Sequence, residues 1–490
     1  MKLLFKSVLI AVILSCGTMQ AQDIVGQWNG ILSVYGTNLR LIFHIEKTDE
    51  GYTSTLDSPD QGQTGFPVKT TSFDGTKLLF DLPTLTAKYE GEFKIDSIIG
   101  TLTQNGMSFP MTLKKSSVVI PPQESKPLHV LSENIISEIK TIKLSDGEET
   151  TARLCFPKDG KINTIVIAVH GTGPFTYLTK RQGFNFYDVL ADGFCGQGVG
   201  FFTYNRRGVD LGEKAPWFDK VDNTKYAKYL PHIEAADIET MITFLKNDQR
   251  FQNCKIILYG ISEGTILASM VAERKKVKID ALFLHGYAHE NMFDIIKWQN
   301  TGDGIMILTN SIFDKNGDKV VDRAEYEVED PTIAAYRGLL FQNLPFDSVD
   351  VVKDNIIDVK DIRVMRERAL GQPFQELLMT KISENDGDWI WNNYVRVTID
   401  WLKEHFALEP NKTRLLRVDI PIYVFHGKED ANVSAENVYD LEDRFKTCNK
   451  SNLKTFVFEK HNHDLNFEDL LKTKEYSEGL KKVFATAAEI

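Results

Sequence analysis

The segment Lys255-Ile256-Ile257-Leu258-Tyr259-Gly260-Ile261-Ser262-Glu263-Gly264-Thr265-Ile266-Leu267-Ala268 constrains this chain more than any other. An apolar, β-branched run passes through Gly-x-Ser-x-Gly into a helical pattern, so the sequence predicts a strand that turns sharply into a helix at Ser262. The flanking glycines suit such a turn, because a Cβ at either position would meet neighbouring backbone. Ser262 is then a candidate nucleophile with its Oγ clear of the sheet. The alternative is an ordinary turn serine, and a short motif of this kind needs partners before it carries weight.

Three other motifs supply partners. Thr164 to Val169 is a continuous apolar run, the pattern of a buried parallel strand, and it ends in His170-Gly171-Thr172-Gly173-Pro174. Ile422 to Phe425 is a second such run, and it leads to His426-Gly427-Lys428-Glu429-Asp430. Thr455 to Phe458 is followed by His461-Asn462-His463-Asp464-Leu465. Two of these have a plainer reading: His170 as a strand-end histidine, Asp430 as a helix N-cap for a segment starting near Ser434.

Taken together, and in the chain order Ser, Asp, His, these motifs resemble an α/β-hydrolase of the carboxylesterase and serine-peptidase-like kind, from about Ile142 to the C-terminus. Tyr204-Asn205-Arg206-Arg207-Gly208 is similar to the loop after the next core strand in that family. The resemblance implies an α/β fold with Ser262, Asp430 and His463 as a catalytic triad. Asn462-His463 resembles the Asn-His pair of such esterases, and His461 is the alternative base. The chemistry agrees: serine needs a neutral imidazole to take its proton, and a carboxylate to fix the tautomer and stabilise the imidazolium. The backbone N–H groups of Thr172 and Glu263 are the expected oxyanion donors, while the Glu263 side chain lines the pocket or answers Arg206 or Arg207.

These residues predict a serine hydrolase that cleaves a small-molecule carboxylic ester through an acyl-enzyme, with no cofactor for catalysis. A peptidase or thioesterase would use the same triad, and a non-catalytic binder of glycan or cell wall would keep the fold without turnover. Oligomeric state is left open. The formal charge of −11 argues against a nucleic-acid partner, which needs a clustered basic surface.

Residues 1–21 carry Lys2 and Lys6, then the apolar run Val8 to Leu14, then small and polar residues to Ala21, the pattern of a secretory signal peptide. Cleavage after Ala21 is expected, with lipidation of Cys16 as the alternative, and either places the enzyme outside the cytoplasm. No later run offers the roughly 20 apolar residues of a membrane span. Cys155, Cys195, Cys254 and Cys448 are too widely spaced for a zinc site, and no disulfide is predicted.

Short strand patterns punctuated by turn residues predict a separate antiparallel β domain over residues 23–115, as a barrel or sandwich, with Trp28, Tyr89 and Phe93 as core rather than a ligand platform. Residues 116–134 read as a proline-containing linker and 135–490 as the hydrolase domain, with a mostly helical cap inserted over 290–411. Within the cap, Asp314, Asn316, Asp318, Asp322 and Glu325, with the Val320 carbonyl, resemble an EF-hand calcium loop. Lys319 stands where glycine normally takes the left-handed turn. A poorer copy runs from Asp350 through Asp354, the Ile356 carbonyl and Asp358 to Asp361, with Val352 giving no oxygen at position three. Calcium bound here is expected to be structural.

Overall fold

A computed structural model describes residues 24–490 apart from 35–36, 50, 60–62, 86, 105–106, 117–128, 159–161, 182–183, 213–219 and 395. The leader expected over 1–21, with Cys16, and most of the expected linker lie outside the described residues.

Eight antiparallel strands run from Gly26–Val34 to Met107–Ser116, and the first pairs with the last, so the N-terminal sheet closes into a barrel. Strand alternation drives one set of side chains inward. Trp28, Phe43, Phe80 and Tyr89 are fully buried there, and Phe43 and Phe80 stack with ring centroids 4.3 Å apart. Phe93 joins the same cluster, so Trp28, Tyr89 and Phe93 are all core.

The second sheet has eight strands. Their spatial order is Leu453–Phe458, Ile422–Gly427, Ala281–His285, Lys255–Ile261, Thr164–Val169, Gly200–Tyr204, Glu149–Pro157 and Ile135–Lys143. The first six are mutually parallel, and Glu149–Pro157 runs antiparallel to both its neighbours. The unbroken apolar runs reflect burial on both faces. Ile165 and Ile167 face one core with helices Pro231–Asn247 and Gly264–Arg274, whereas Val166 and Ala168 face another with Phe186–Cys195 and Glu478–Ala488. The result is a three-layer α/β arrangement with the strand–serine–helix turn at its centre.

Between Ala281–His285 and Ile422–Gly427 the chain is mostly helical, from Met292–Asn300 to Asn411–Arg414. Part of it has its own small core around Phe313, Tyr326, Phe346 and Ile362. Two-residue strands Val321–Asp322 and Ile356–Ile357 pair antiparallel in this region, with Val321 and Ile357 fully buried. Among the described residues no helix is long and apolar enough to cross a membrane, and Cys155, Cys195, Cys254 and Cys448 are all free thiols.

Candidate active site

Ser262 follows the strand Lys255–Ile261 and has φ +57°, a left-handed conformation that non-glycine residues enter at a cost. Its N–H donates to the His285 carbonyl at 2.9 Å. The motif glycines permit the turn: a Cβ on Gly264 would stand 2.1 Å from the Val169 carbonyl oxygen, and one on Gly260 would stand 2.4 Å from that of Gly264. The loop after Thr164–Val169 approaches less tightly: a Cβ on Gly171 would lie 3.3 Å from the Ile261 carbonyl oxygen and 3.4 Å from Ser262 Cβ. Among the described residues, no acceptor pairs with the backbone N–H of Thr172 or of Glu263.

Asp430 is fully buried, and its Oδ2 lies 2.7 Å from His463 Nδ1. Its Oδ1 accepts the Asn432 and Val433 N–H groups at 2.8 and 2.9 Å, so it closes a turn rather than capping the helix Glu436–Thr447. Burial pushes its carboxyl pKa up, but the charge and hydrogen bond of His463, His426 and the Val433 amide outweigh that and hold it below the usual value. The His463 ring lies against Gly286, where a Cβ would be 2.6 Å from Cε1. His461 is placed differently: Nδ1 donates to the Glu459 carbonyl at 2.8 Å and Nε2 accepts the Gly479 N–H at 3.3 Å, so both ring nitrogens face backbone.

Among the described residues the Glu263 side chain forms no ion pair with Arg206 or Arg207. It is buried, with Oε1 2.8 Å from His405 Nε2 and 3.2 Å from Trp401 Nε1, while Oε2 accepts the Tyr229 hydroxyl. Burial raises its pKa, but His405, Arg206 and Tyr229 outweigh that and hold it below the usual carboxylate range. Both arginines pair with other acids. Arg207 binds Asp237 and Asp146; Arg206 Nε lies 3.2 Å from Glu234. Arg206 Nη1 also donates to the Gly171 and Gly173 carbonyls at 2.7 and 2.5 Å, which fixes the loop carrying Thr172.

Sequence reasoning missed a support that recurs three times. Strands end in His170-Gly171, His285-Gly286 and His426-Gly427, and each histidine is buried with its ring engaged. His170 Nε2 donates to the Tyr204 carbonyl at 2.7 Å. His285 Nε2 donates to the His463 carbonyl at 3.0 Å and Nδ1 accepts from Tyr259 at 2.5 Å. His426 Nδ1 accepts the Tyr287 N–H, and Nε2 donates to the Val433 carbonyl. The repeated His-Gly dipeptide was the available signal.

The two acidic loops of the helical insertion are built alike. Asp314 accepts the N–H groups of Gly317 and Lys319 at 2.6 and 2.8 Å; Asp350 accepts those of Lys353 and Asn355 at 2.6 and 3.0 Å. The fourth and sixth residues of each have positive φ: Gly317 and Lys319, then Lys353 and Asn355. Asp322 and Asp358 form capping boxes with Glu325 and Asp361, while Asn316 and Asp318 hydrogen-bond each other. The better convergence is in the poorer copy: carboxylate oxygens of Asp350, Asp354 and Asp361 lie within 4.8 Å of one another. Asp361 Oδ1 accepts the Val352 N–H at 2.9 Å, as Glu325 Oε1 accepts the Lys315 N–H at 2.8 Å in the other loop.

No family model and no curated protein matches the chain. Among solved structures it is similar to a lipase in its open form, at 15% identity and TM-score 0.42, covering 72% of this chain and 98% of that one. It is similar to a thermostable carboxyl esterase from Bacillus coagulans in complex with glycerol, at 15% identity and TM-score 0.40, covering 72% and 99%. It is also similar to an esterase from Exiguobacterium antarcticum, at 14% and 0.37, covering 72% and 99%.

This packing can be tested through stability. Gly264→Ala forces its new Cβ onto strand backbone, so the urea midpoint should drop by the equivalent of about 2 kcal/mol or more. Burial also lowers the pKa of His285 to about 3 and of His289 to about 4, so below their ordinary 6.5 the unfolded chain takes up protons that the folded chain refuses. Stability should fall as pH drops through that window, and His289→Gln should flatten the decline in urea midpoint against pH.

Proposed function

We propose that the chain is a serine hydrolase that cleaves carboxylic esters through an acyl-enzyme. The observation that carries this reading is the 2.7 Å contact between His463 Nδ1 and buried Asp430, with Ser262 at a left-handed strand-to-helix turn of the same sheet. The three residues follow the carboxyl ends of parallel strands, where open α/β sheets gather their ligands. With Nδ1–H held by Asp430, His463 Nε2 is the nitrogen that takes the Ser262 proton as Oγ attacks the ester carbonyl. The Thr172 and Glu263 N–H groups receive the oxyanion, and each such donor is worth about 3 kcal/mol in the transition state. As the intermediate collapses, the alcohol leaves with the proton from His463. Water then attacks the acyl-enzyme and gives His463 a proton, and as the acyl–oxygen bond to Ser262 breaks that proton returns to Oγ and the acid leaves.

On this reading the chain is exported behind the 1–21 leader and meets its substrate outside the cytoplasm, with residues 23–115 as an accessory domain. Catalysis needs no metal. The insertion binds calcium as a structural ion, the Asp314–Glu325 loop offering the larger set of oxygen ligands and the Asp350–Asp361 loop the closer carboxylates. Their antiparallel contact through Val321 and Ile357 supports reading them as a pair.

Hydrolysis of short-chain p-nitrophenyl esters tests the reading. Ser262→Ala should lower kcat by roughly ten-thousandfold or more with an unchanged melting temperature. His463→Ala should do the same, whereas His461→Ala should cost stability and leave most of the turnover. Retention of activity by Ser262→Ala overturns the triad, and the reverse ranking of the histidines moves the base to His461. Chelation should lower the wild-type melting temperature by about 5 °C and shift Asp314→Ala and Asp350→Ala less. Equal shifts in all three remove the loops as the site.

A further inference from the structure

Buried cations in this protein are almost always answered by acids. Arg153, Arg206, Arg207 and Arg414 lie against Asp188, Glu234, Asp237 and Glu273. Arg366, on the helix Val359–Leu370, has no such acid; nor has Arg337, which lies over the Tyr326 ring instead. Arg366 Nη2 donates to Asn300 Oδ1 at 2.9 Å, its Nε is buried with no hydrogen-bond partner, and no carboxylate lies within ion-pair distance among the described residues. Burial alone pushes its pKa down, with no acid to offset it. A half-buried guanidinium left in this condition is costly, and a carboxylate is the group that fits its fork of donors.

Arg366 lines a cavity of about 560 Å³, within the range of small-ligand sites. Among the described residues lining that cavity it is the one that carries a charge, on a protein whose formal charge is −11. The walls are otherwise amides and apolar groups, among them Leu308, Phe374 and Trp389. An adjoining cavity shares Arg366 and adds Lys297 and Arg363, with Glu367 and Glu376 also in its lining.

The cavity borders the turn that carries Asp430. Ala431 and Asn432 form one wall, and the Asn432 N–H is a hydrogen bond of buried Asp430. The helix Asp303–Phe313 sits tightly on this turn, since a Cβ on Gly304 would stand 2.1 Å from the Ala431 carbonyl oxygen. Tyr394, also in the lining, is within electrostatic reach of Glu263, the neighbour of Ser262.

We infer that this cavity is a subsite for a carboxylate carried by the ester substrate, with Arg366 as the group that recognises it. The inference rests on the ester-hydrolase reading and narrows it to esters bearing an anionic arm, such as half-esters of dicarboxylic acids. The apolar walls take the methylene chain, and the guanidinium takes the terminal carboxylate.

The test compares p-nitrophenyl hemiglutarate with neutral p-nitrophenyl valerate, as a ratio of kcat/KM, in wild type, Arg366→Met and Arg366→Lys. Wild type should favour the anionic ester by at least about tenfold, the size of one charge-assisted hydrogen bond, chiefly through KM. Arg366→Met should bring the ratio to about one or below, and Arg366→Lys should keep part of it. Ser262-dependent turnover of valerate with no preference for hemiglutarate overturns the subsite and leaves the hydrolase reading standing. An unchanged preference in Arg366→Met also overturns it. Turnover of neither ester overturns the hydrolase reading, and calorimetry with glutarate itself then decides the subsite: binding to wild type but not to Arg366→Met supports it, and binding to neither sinks it.

Discussion

The Arg206–Glu234 pair is the constraint around which the candidate site is arranged. Both side chains are buried, so neither recovers its hydration, and such a pair holds only when the remaining donors and acceptors are also met. Here they are met by the loop that matters: the guanidinium donates to the Gly171 and Gly173 carbonyls, and Glu234 also accepts the Tyr204 hydroxyl. The Tyr229 ring lies over the guanidinium at 3.9 Å, and its hydroxyl reaches Glu263 beside the serine. One ion pair thereby ties the loop carrying Thr172, the sheet and the strand-to-helix turn into a single polar network within a low-dielectric interior.

That network also reaches the insertion. Trp401 and His405 come from the helix Ile399–Ala407, and both contact the Glu263 carboxylate. The residue after Ser262 is thus gripped by side chains distant in sequence, and its backbone N–H, one of the expected oxyanion donors, inherits that rigidity. A flexible amide would have to be reoriented during the reaction; one held in advance does not.

The strands of the main sheet were legible because burial on both faces leaves an unbroken apolar run, as in Thr164–Val169 and Ile422–Phe425. The elbow was legible because its glycines answer a local backbone need. The choice between His461 and His463 was open on spacing alone, and the two differ only in which backbone or carboxylate groups the fold brings to each ring. The Glu263 partners were not legible for the same reason: Tyr229, Trp401 and His405 follow no local period, and their meeting is a tertiary fact. In the acidic loops, ligand spacing could be read directly, but the convergence of the Asp350, Asp354 and Asp361 carboxylates is a property of the folded loop. Spacing says which atoms are offered, not how far apart they end.

The His463 ring occupies the space that a side chain at Gly286 would fill. The imidazole is therefore located by a missing methyl as much as by the groups it touches, and the end of one strand sets the position of a loop belonging to another. A search for important residues that looks only for chemical groups passes over such a place. Its contribution is a volume kept empty along the chain until a distant ring arrives to occupy it.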